Sequence, residues 1–425
     1  MSSSDWTAQA KTTTRSISDD IADGQSRESG GRDGRLTFWF HLSFMALRRM
    51  RKGSLVVTMP DGRRHEFQGD MDGPSAELRL HDEKVARHLI LGGDLAFAES
   101  YLDGAWDSPD ITALIQLCAE NWDDIAARVD GNILARTARR LAHFKRRNSK
   151  TGSRRNISHH YDIGNAFYAR WLDPSMTYSS AIFEGQDEEL EAAQMRKYRR
   201  LADMLNLEAG QTVLEIGCGW GGFARLLAKE YGVKVVGLTL STEQRAEAMR
   251  RIAADGLSDQ IEIRLQDYRD VTGSFDRIAS IEMLEAVGES YWPTYFVTLR
   301  DRLVPGGRAA IQVITIDDRR YEGYRVNPDF IQKYIFPGGM LPSPAKLTSS
   351  FAEAGLETIA DDGFALDYAR TLALWRQRFL EAWPAITEQG FDERFRRMWE
   401  YYLCYCEGGF RAGHIDVRQI ILRHA

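Results

Sequence analysis

A lone carboxylate at the mouth of a glycine loop is the part of this chain best suited to chemistry. Val213-Leu-Glu-Ile-Gly-Cys-Gly-Trp-Gly-Gly222 begins as an apolar strand and ends in Gly217, Gly219, Gly221 and Gly222, where the backbone can turn tightly and approach a ligand with no Cβ in the way. Glu215 at the strand's end would repel a pyrophosphate, but it suits the ammonium of an amino-acid moiety. A nucleoside cofactor carrying an amino acid fits both halves of the motif, which points to S-adenosylmethionine. The rival is a dinucleotide loop, whose glycine pattern fits loosely here and which needs no acid at that point. Further along, Thr239 and Gln244, with Leu240 beside them, are candidates for the ribose, and Gln266, Asp267 and Tyr268 for the adenine edge. Tyr178 and Ser179 are placed to close over the methionine moiety.

These residues sit at the ends of strands that alternate with helices. Residues 234–240, 261–267, 275–282 and 305–314 read as further buried strands, and Ser241 is a fitting N-cap for the helix after the second. The alternation predicts an α/β, Rossmann-like class I methyltransferase fold, a seven-stranded doubly wound sheet with helical insertions. Ligands of such sheets bind at the carboxyl ends of the strands, so Glu215, Thr239, Asp267 and Glu282 should converge on one crevice.

With 425 residues, 43% of them hydrophobic, the chain can fill two cores. Its net charge of −6 argues against wholesale nucleic-acid binding. Cys118, Cys218, Cys404 and Cys406 show neither a disulfide framework nor a metal spacing, no apolar run has the length of a membrane span, and a cytoplasmic location is the default. Residues 1–35 are polar and read as a disordered tail. Residues 36–130 carry an aromatic helix at Phe38, a strand from Ser54 into the turn Pro60-Asp-Gly62, and helices broken near Gly92 and Gly104, which predicts a smaller α+β domain. Residues 131–155 read as a basic helical linker. Its Arg136, Arg139, Arg140, Lys145 and Arg146 suit an anionic lipid surface, or else pair with acids as a solvated connector.

Seven segments carry a family resemblance over about residues 155–425: Asn156-Ile-Ser-His-His-Tyr-Asp-Ile-Gly-Asn165, Leu172-Asp-Pro-Ser-Met-Thr-Tyr-Ser-Ser-Ala181, Val213 to Gly222, Gly237-Leu-Thr-Leu-Ser241, Gln266-Asp-Tyr-Arg-Asp270, Lys333-Tyr-Ile-Phe-Pro-Gly-Gly339 and Tyr401 to Arg411. The chain resembles the cyclopropane-fatty-acyl-phospholipid synthases. That resemblance implies a catalytic domain over 156–425 and methylene transfer from S-adenosylmethionine to a cis double bond of a phospholipid acyl chain. It also implies a lipid-engaging role for the domain at 36–130, peripheral association with the inner face of the membrane, and a homodimer.

Within the family a hydrogencarbonate is the implied base, held by a glutamate, a tyrosine, a histidine and the main chain near a cysteine. By resemblance the glutamate is Glu285 and the tyrosine Tyr368, while three positions depart: Ala286 and Gln312 replace histidines and Ser180 replaces the cysteine. Gln312 and Ser180 can still donate hydrogen bonds, yet a cation that could help hold an anion is gone. Glu282 is additional, and would form an i, i+3 acidic pair with Glu285 if both lay on one helix; two carboxylates that close could leave one protonated. The pattern looks similar to a branch making methylated or methylene-branched chains as well as, or in place of, cyclopropanes. Cys406 aligns with a thiol of the family site, although alkene methylation needs no thiolate and a packed thiol is the plainer reading. His159 and His160 suit a headgroup phosphate or a helix start. The aromatics Trp375, Phe379, Trp383, Phe391, Phe395, Trp399, Tyr401 and Tyr402 suit an acyl tunnel or a core. A small-molecule methyltransferase would have little need of residues 36–145, and a non-catalytic lipid binder little need of Glu215, Thr239 and Asp267.

Overall fold

The computed structural model describes residues 37–129 and 163–425. The basic linker, His159 and His160 lie outside the described residues, as does the N-terminal tail.

The N-terminal unit starts with α1 (Phe38–Leu47), followed by β1 (Lys52–Thr58), β2 (Arg64–Gln68) and β3 (Met71–Leu80). Alternate residues of β1, Leu55 and Val57 among them, are buried, and the turn at Asp61 and Gly62 closes an antiparallel hairpin with β2. Next come α2 (Lys84–Leu102), β4 (Trp106–Asp107), α3 (Ile111–Glu120) and α4 (Trp122–Val129), giving a sheet of order β2-β1-β3-β4. The break expected near Gly92 falls at Gly93, which takes φ +68° inside α2.

The second unit contains α5 (Asn165–Tyr168), α6 (Leu190–Leu205), β5 (Thr212–Ile216), α7 (Gly222–Tyr231), β6 (Lys234–Thr239), α8 (Thr242–Ala254), β7 (Ile261–Leu265), β8 (Phe275–Ile281), α9 (Leu284–Val287), α10 (Trp292–Arg302) and β9 (Leu303–Ile316). It ends with α11 (Asp318–Val326), α12 (Pro344–Glu353), β10 (Leu356–Gly363), α13 (Ala365–Thr387), α14 (Glu393–Arg411) and β11 (Ile415–His424). The seven strands run in the order β10-β11-β9-β8-β5-β6-β7, and the pairs among β9, β8, β5, β6 and β7 are parallel. Ser241 caps α8 by accepting from the Gln244 amide at 3.2 Å. All five strands read from the sequence are present. The sequence reading located neither β10 nor β11, which form the antiparallel edge beside β9.

The two units share one core. Trp106, Trp171, Trp375 and Trp399 are fully buried in a cluster that joins the N-terminal unit to α13 and α14. Arg397 of α14 donates to the carbonyls of Tyr101 at 2.6 Å and Trp106 at 2.8 Å, and Thr112 donates to Glu407 at 3.0 Å. Buried polar groups paired across a contact fix its register as well as its adhesion. Among the described residues no helix is long and apolar enough to cross a membrane.

Candidate active site

The carboxyl ends of β5, β6 and β8 open into a cavity of about 840 Å³ that also reaches the N-terminal unit. At its polar end the loop after β5 turns through Gly217 at φ +85° and Gly219 at φ +52°. A Cβ on Gly217 would stand 2.9 Å from the Met283 side chain, so this position admits glycine alone. Glu215 is 3% exposed, and burial pushes its carboxyl up to about 8 against the opposing pull of the Lys197 ammonium. Its Oε2 is buried and meets no hydrogen-bond partner among the described residues. An orphaned carboxylate oxygen beside a glycine cradle fits a ligand ammonium, as S-adenosylmethionine would present.

Thr239 donates to Gln244 at 3.0 Å, and both line the cavity with Tyr178, Ser179, Leu240, Gln266 and Tyr268. Asp267 does not line it. Its carboxylate caps the short turn at Tyr268–Asp270 and is forked by Arg269 at 2.8 and 2.7 Å. The strand ends at Leu265, two residues early, and the turn that follows swings Asp267 onto its own arginine.

Deeper in the cavity stand two more carboxylates, and they are not an i, i+3 helical pair. Glu282 leaves β8 with φ +49°, a left-handed conformation that costs a non-glycine residue on the order of 1–3 kcal/mol, and only Glu285 lies on α9. The Glu282 carboxylate accepts from the Ser180 amide at 3.0 Å, from Gln312 Nε2 at 2.8 Å and from the Tyr368 hydroxyl at 2.6 Å. Glu285 Oε1 accepts from the Ile314 amide at 2.6 Å, while Oε2 is buried without a partner among the described residues. Burial first, and the neighbouring Glu282 second, push the Glu285 carboxyl up to about 8. Tyr368, Gln312 and Ser180 are groups that the resemblance assigns to hydrogencarbonate, and with Glu282 on all three the arrangement does not fit a separate anion there. Ser180 contributes its backbone amide; its hydroxyl turns to the Ala181 carbonyl. Ser180 and Gln312 do not line the cavity, whereas Glu282, Glu285, Ala286 and Tyr368 do.

Lys197, which the sequence reading passed over, is fully buried on α6. Its ammonium donates to Ser179 Oγ at 2.7 Å, the same oxygen that accepts from Gln312 Nε2 at 3.0 Å. Burial pushes it down to about 7, opposed by Glu282, Asp173 and Glu215. The signal for it was available: Ala193, Lys197 and Leu201 share one helical stripe, and a lysine on a buried stripe calls for a partner.

Cys406 lines the cavity, and burial drives its thiol well above its ordinary range, which favours a packed thiol over a thiolate nucleophile. Of the aromatic series, Tyr401 and Tyr402 reach the cavity, while Trp375, Phe379, Phe395 and Trp399 are core. The apolar walls include Leu55, Leu78, Phe97, Leu114 and Ile115 from the N-terminal unit and Ile314, Leu372 and Phe410 from the second.

A doubly wound sheet that ends in a glycine cradle and a buried acid with one oxygen left without a partner among the described residues defines an S-adenosylmethionine-dependent methyltransferase of class I. The model of the mycolic acid cyclopropane synthetase family matches residues 148–420. The chain is 40% identical to the tuberculostearic acid methyltransferase UfaA1 of Mycobacterium tuberculosis over 83% of this chain and 84% of that protein. It is 37% identical to the cyclopropane-fatty-acyl-phospholipid synthase of Escherichia coli K12, over 81% and 87%. Among solved structures, the cyclopropane synthase MmaA2 from M. tuberculosis superposes with a TM-score of 0.60 at 32% identity, over 63% of this chain and 97% of that one. CmaA1, a mycolic acid cyclopropane synthase complexed with SAH and CTAB, superposes with a TM-score of 0.59 at 30% identity and the same coverage. The chain therefore belongs to the mycolic acid cyclopropane synthetase family, as its seven sequence segments implied.

Proposed function

We propose that this enzyme adds a one-carbon unit to the cis double bond of an unsaturated phospholipid acyl chain, working at an anionic membrane surface as a peripheral homodimer. One observation carries the substrate class: a single cavity joins the Glu215 cradle to apolar walls drawn from both units. A polar small molecule would leave those walls unmatched, whereas an acyl chain would bury against them at about 25 cal/mol per Å² of apolar surface. S-adenosylmethionine, when bound, supplies an electrophilic methyl group. Glu215 would pair with its ammonium, Thr239 and Gln244 would meet the ribose, and Gln266 and Tyr268 would flank the base. Tyr368 stacks on Phe410 at 4.5 Å, and with Tyr402 it gives the cavity aromatic surface that excludes water and steadies positive charge. Incubation with labelled S-adenosylmethionine and phosphatidylglycerol bearing a monounsaturated chain, followed by mass spectrometry, tests the reading. Label in the acyl chain supports it, and label confined to water-soluble product overturns it.

A second reading concerns the product. Glu282 at the reacting end, together with Ser180, Ala286 and Gln312, favours a methyl- or methylene-branched chain beside the cyclopropane. The 40% identity to a protein named for tuberculostearic acid methylation supports the same branch. The methylene-branched chain and the methylated alkene are isomers of the cyclopropane, and they separate from it by chromatography and by the vinylic protons that a cyclopropane lacks.

A further inference from the structure

We infer that Glu282 is this enzyme's own general base, a carboxylate built into the chain where the family resemblance expects a bound hydrogencarbonate. The inference rests on acyl-alkene methylation as the reaction of this cavity.

Three donors fix the group. Oε1 takes the Ser180 amide and Gln312 Nε2, Oε2 takes the Tyr368 hydroxyl, and the carboxylate so held faces the cavity. Gln312 is itself fixed from behind, since its Oε1 accepts from Gln419 at 3.0 Å. The left-handed backbone at Glu282 is of the kind that persists where surrounding structure over-determines it, and its amide is tied to the Gln312 carbonyl at 2.8 Å. Ser180 and Gln312 do not reach the cavity surface, so a free anion would have to displace Glu282 to meet them. Glu285 is less suited to the task, because burial and the neighbouring Glu282 raise its carboxyl to about 8 and so favour its protonated form, in which it cannot accept a proton.

The chemistry balances without a second anion. The alkene's π pair forms the bond to the incoming methyl carbon as the carbon–sulfur bond breaks toward sulfur, leaving a cation on the adjacent chain carbon. A Glu282 oxygen then takes one proton and becomes a carboxylic acid. If the proton leaves the new methyl, its C–H pair closes the cyclopropane, or forms a methylene branch when a hydride shift has first moved the cation to the methylated carbon. If it leaves the chain, the pair forms a methylated alkene. Glu282 returns the proton to water before the next turnover. Protons beside a carbocation are acidic enough that a carboxylate suffices.

Turnover on monounsaturated phosphatidylglycerol vesicles should be equal, within about twofold, in carbon-dioxide-free buffer and with added hydrogencarbonate. Glu282→Gln should keep its melting temperature and its affinity for S-adenosylhomocysteine while losing about 10²–10⁴-fold in turnover, the scale of a general base. Glu282→Gly should be as slow, and formate should restore it at least about tenfold without accelerating the wild type. A wild-type rate that collapses when hydrogencarbonate is removed overturns the inference. So does a Glu282→Gln enzyme of near wild-type rate, or a folded, ligand-binding Glu282→Gly enzyme that formate leaves inactive. A wild type that binds S-adenosylhomocysteine yet methylates no unsaturated phospholipid overturns the substrate reading, and Glu282 as base falls with it.

Discussion

Binding of the cofactor's amino-acid end should be linked to the ionisation of Glu215. In the empty cradle burial holds this carboxyl at about 8, so at pH 6 only about 1% carries the charge that pairs with an ammonium. If the ligand takes the ionised form, its affinity should rise about ninefold from pH 6 to 7 and about fivefold from pH 7 to 8, gaining about 50-fold, or about 2.3 kcal/mol, by pH 8 and levelling off above it. Calorimetry with S-adenosylhomocysteine at pH 6, 7 and 8, in buffers of different ionisation enthalpy, reads both the slope and the release of close to one proton at the acid end. Glu215→Gln should flatten the slope and bind about 10–100-fold more weakly at pH 8, the worth of a charge-assisted hydrogen bond. The sign extends to stability. A carboxyl raised from 4.5 to about 8 favours the empty fold at low pH, a benefit that fades as pH rises through about 8. Bound ligand should therefore raise the melting temperature more at pH 8 than at pH 6. A dissociation constant independent of pH, with no proton released, would refute the pairing of Glu215 with the ammonium.

Lys197→Met should move the affinity profile of S-adenosylhomocysteine to higher pH, because the ammonium that favours ionised Glu215 is gone; an unmoved profile would separate the two groups. Ala119→Trp, on a half-buried cavity residue of α3, should lower kcat/KM for vesicle substrate at least about tenfold and leave S-adenosylhomocysteine affinity unchanged. Arg139→Glu with Arg140→Glu should weaken sedimentation with anionic vesicles, most at low salt, and again spare the cofactor. Combining Ser180→Cys, Ala286→His and Gln312→His with Glu282→Gly should raise the cyclopropane share of the product and make turnover depend on added hydrogencarbonate. The same three changes with Glu282 retained should not create that dependence.

The parts of the fold legible in the sequence were those with a local cause. The glycine loop, the Ser241 cap and the buried strands β5 to β9 each announce themselves by spacing and residue type within about a dozen residues. Strands β10 and β11 do not, because Leu356–Gly363 is mostly exposed and polar and gains its place only by pairing with a partner more than fifty residues away. The placement of the Asp267 carboxylate was not legible either. A strand that stops at Leu265 instead of running to 267 turns the acid onto Arg269, and boundary errors of two residues suffice to redirect a side chain. Glu282 was visible as an extra acid, but its left-handed backbone and its three donors, from Ser180, Gln312 and Tyr368, come from segments far apart in the chain.

Charge in the cavity ties these observations together. Acids outnumber bases around the buried Lys197, on which Glu282, Asp173 and Glu215 all act, and burial raises the carboxyls of Glu215 and Asp173. A ligand bearing a sulfonium as well as an ammonium matches that imbalance better than its demethylated product, which has lost the sulfonium charge. The site should accordingly prefer cofactor to product, and the preference should weaken when Glu282 is neutralised. An acyl chain brings no charge to this end and gains only from apolar walls, so its entry is favoured once the acids are paired and the water around them displaced. The acid that receives the proton at the end of the reaction is thereby among the acids that favour the cationic cofactor at its beginning.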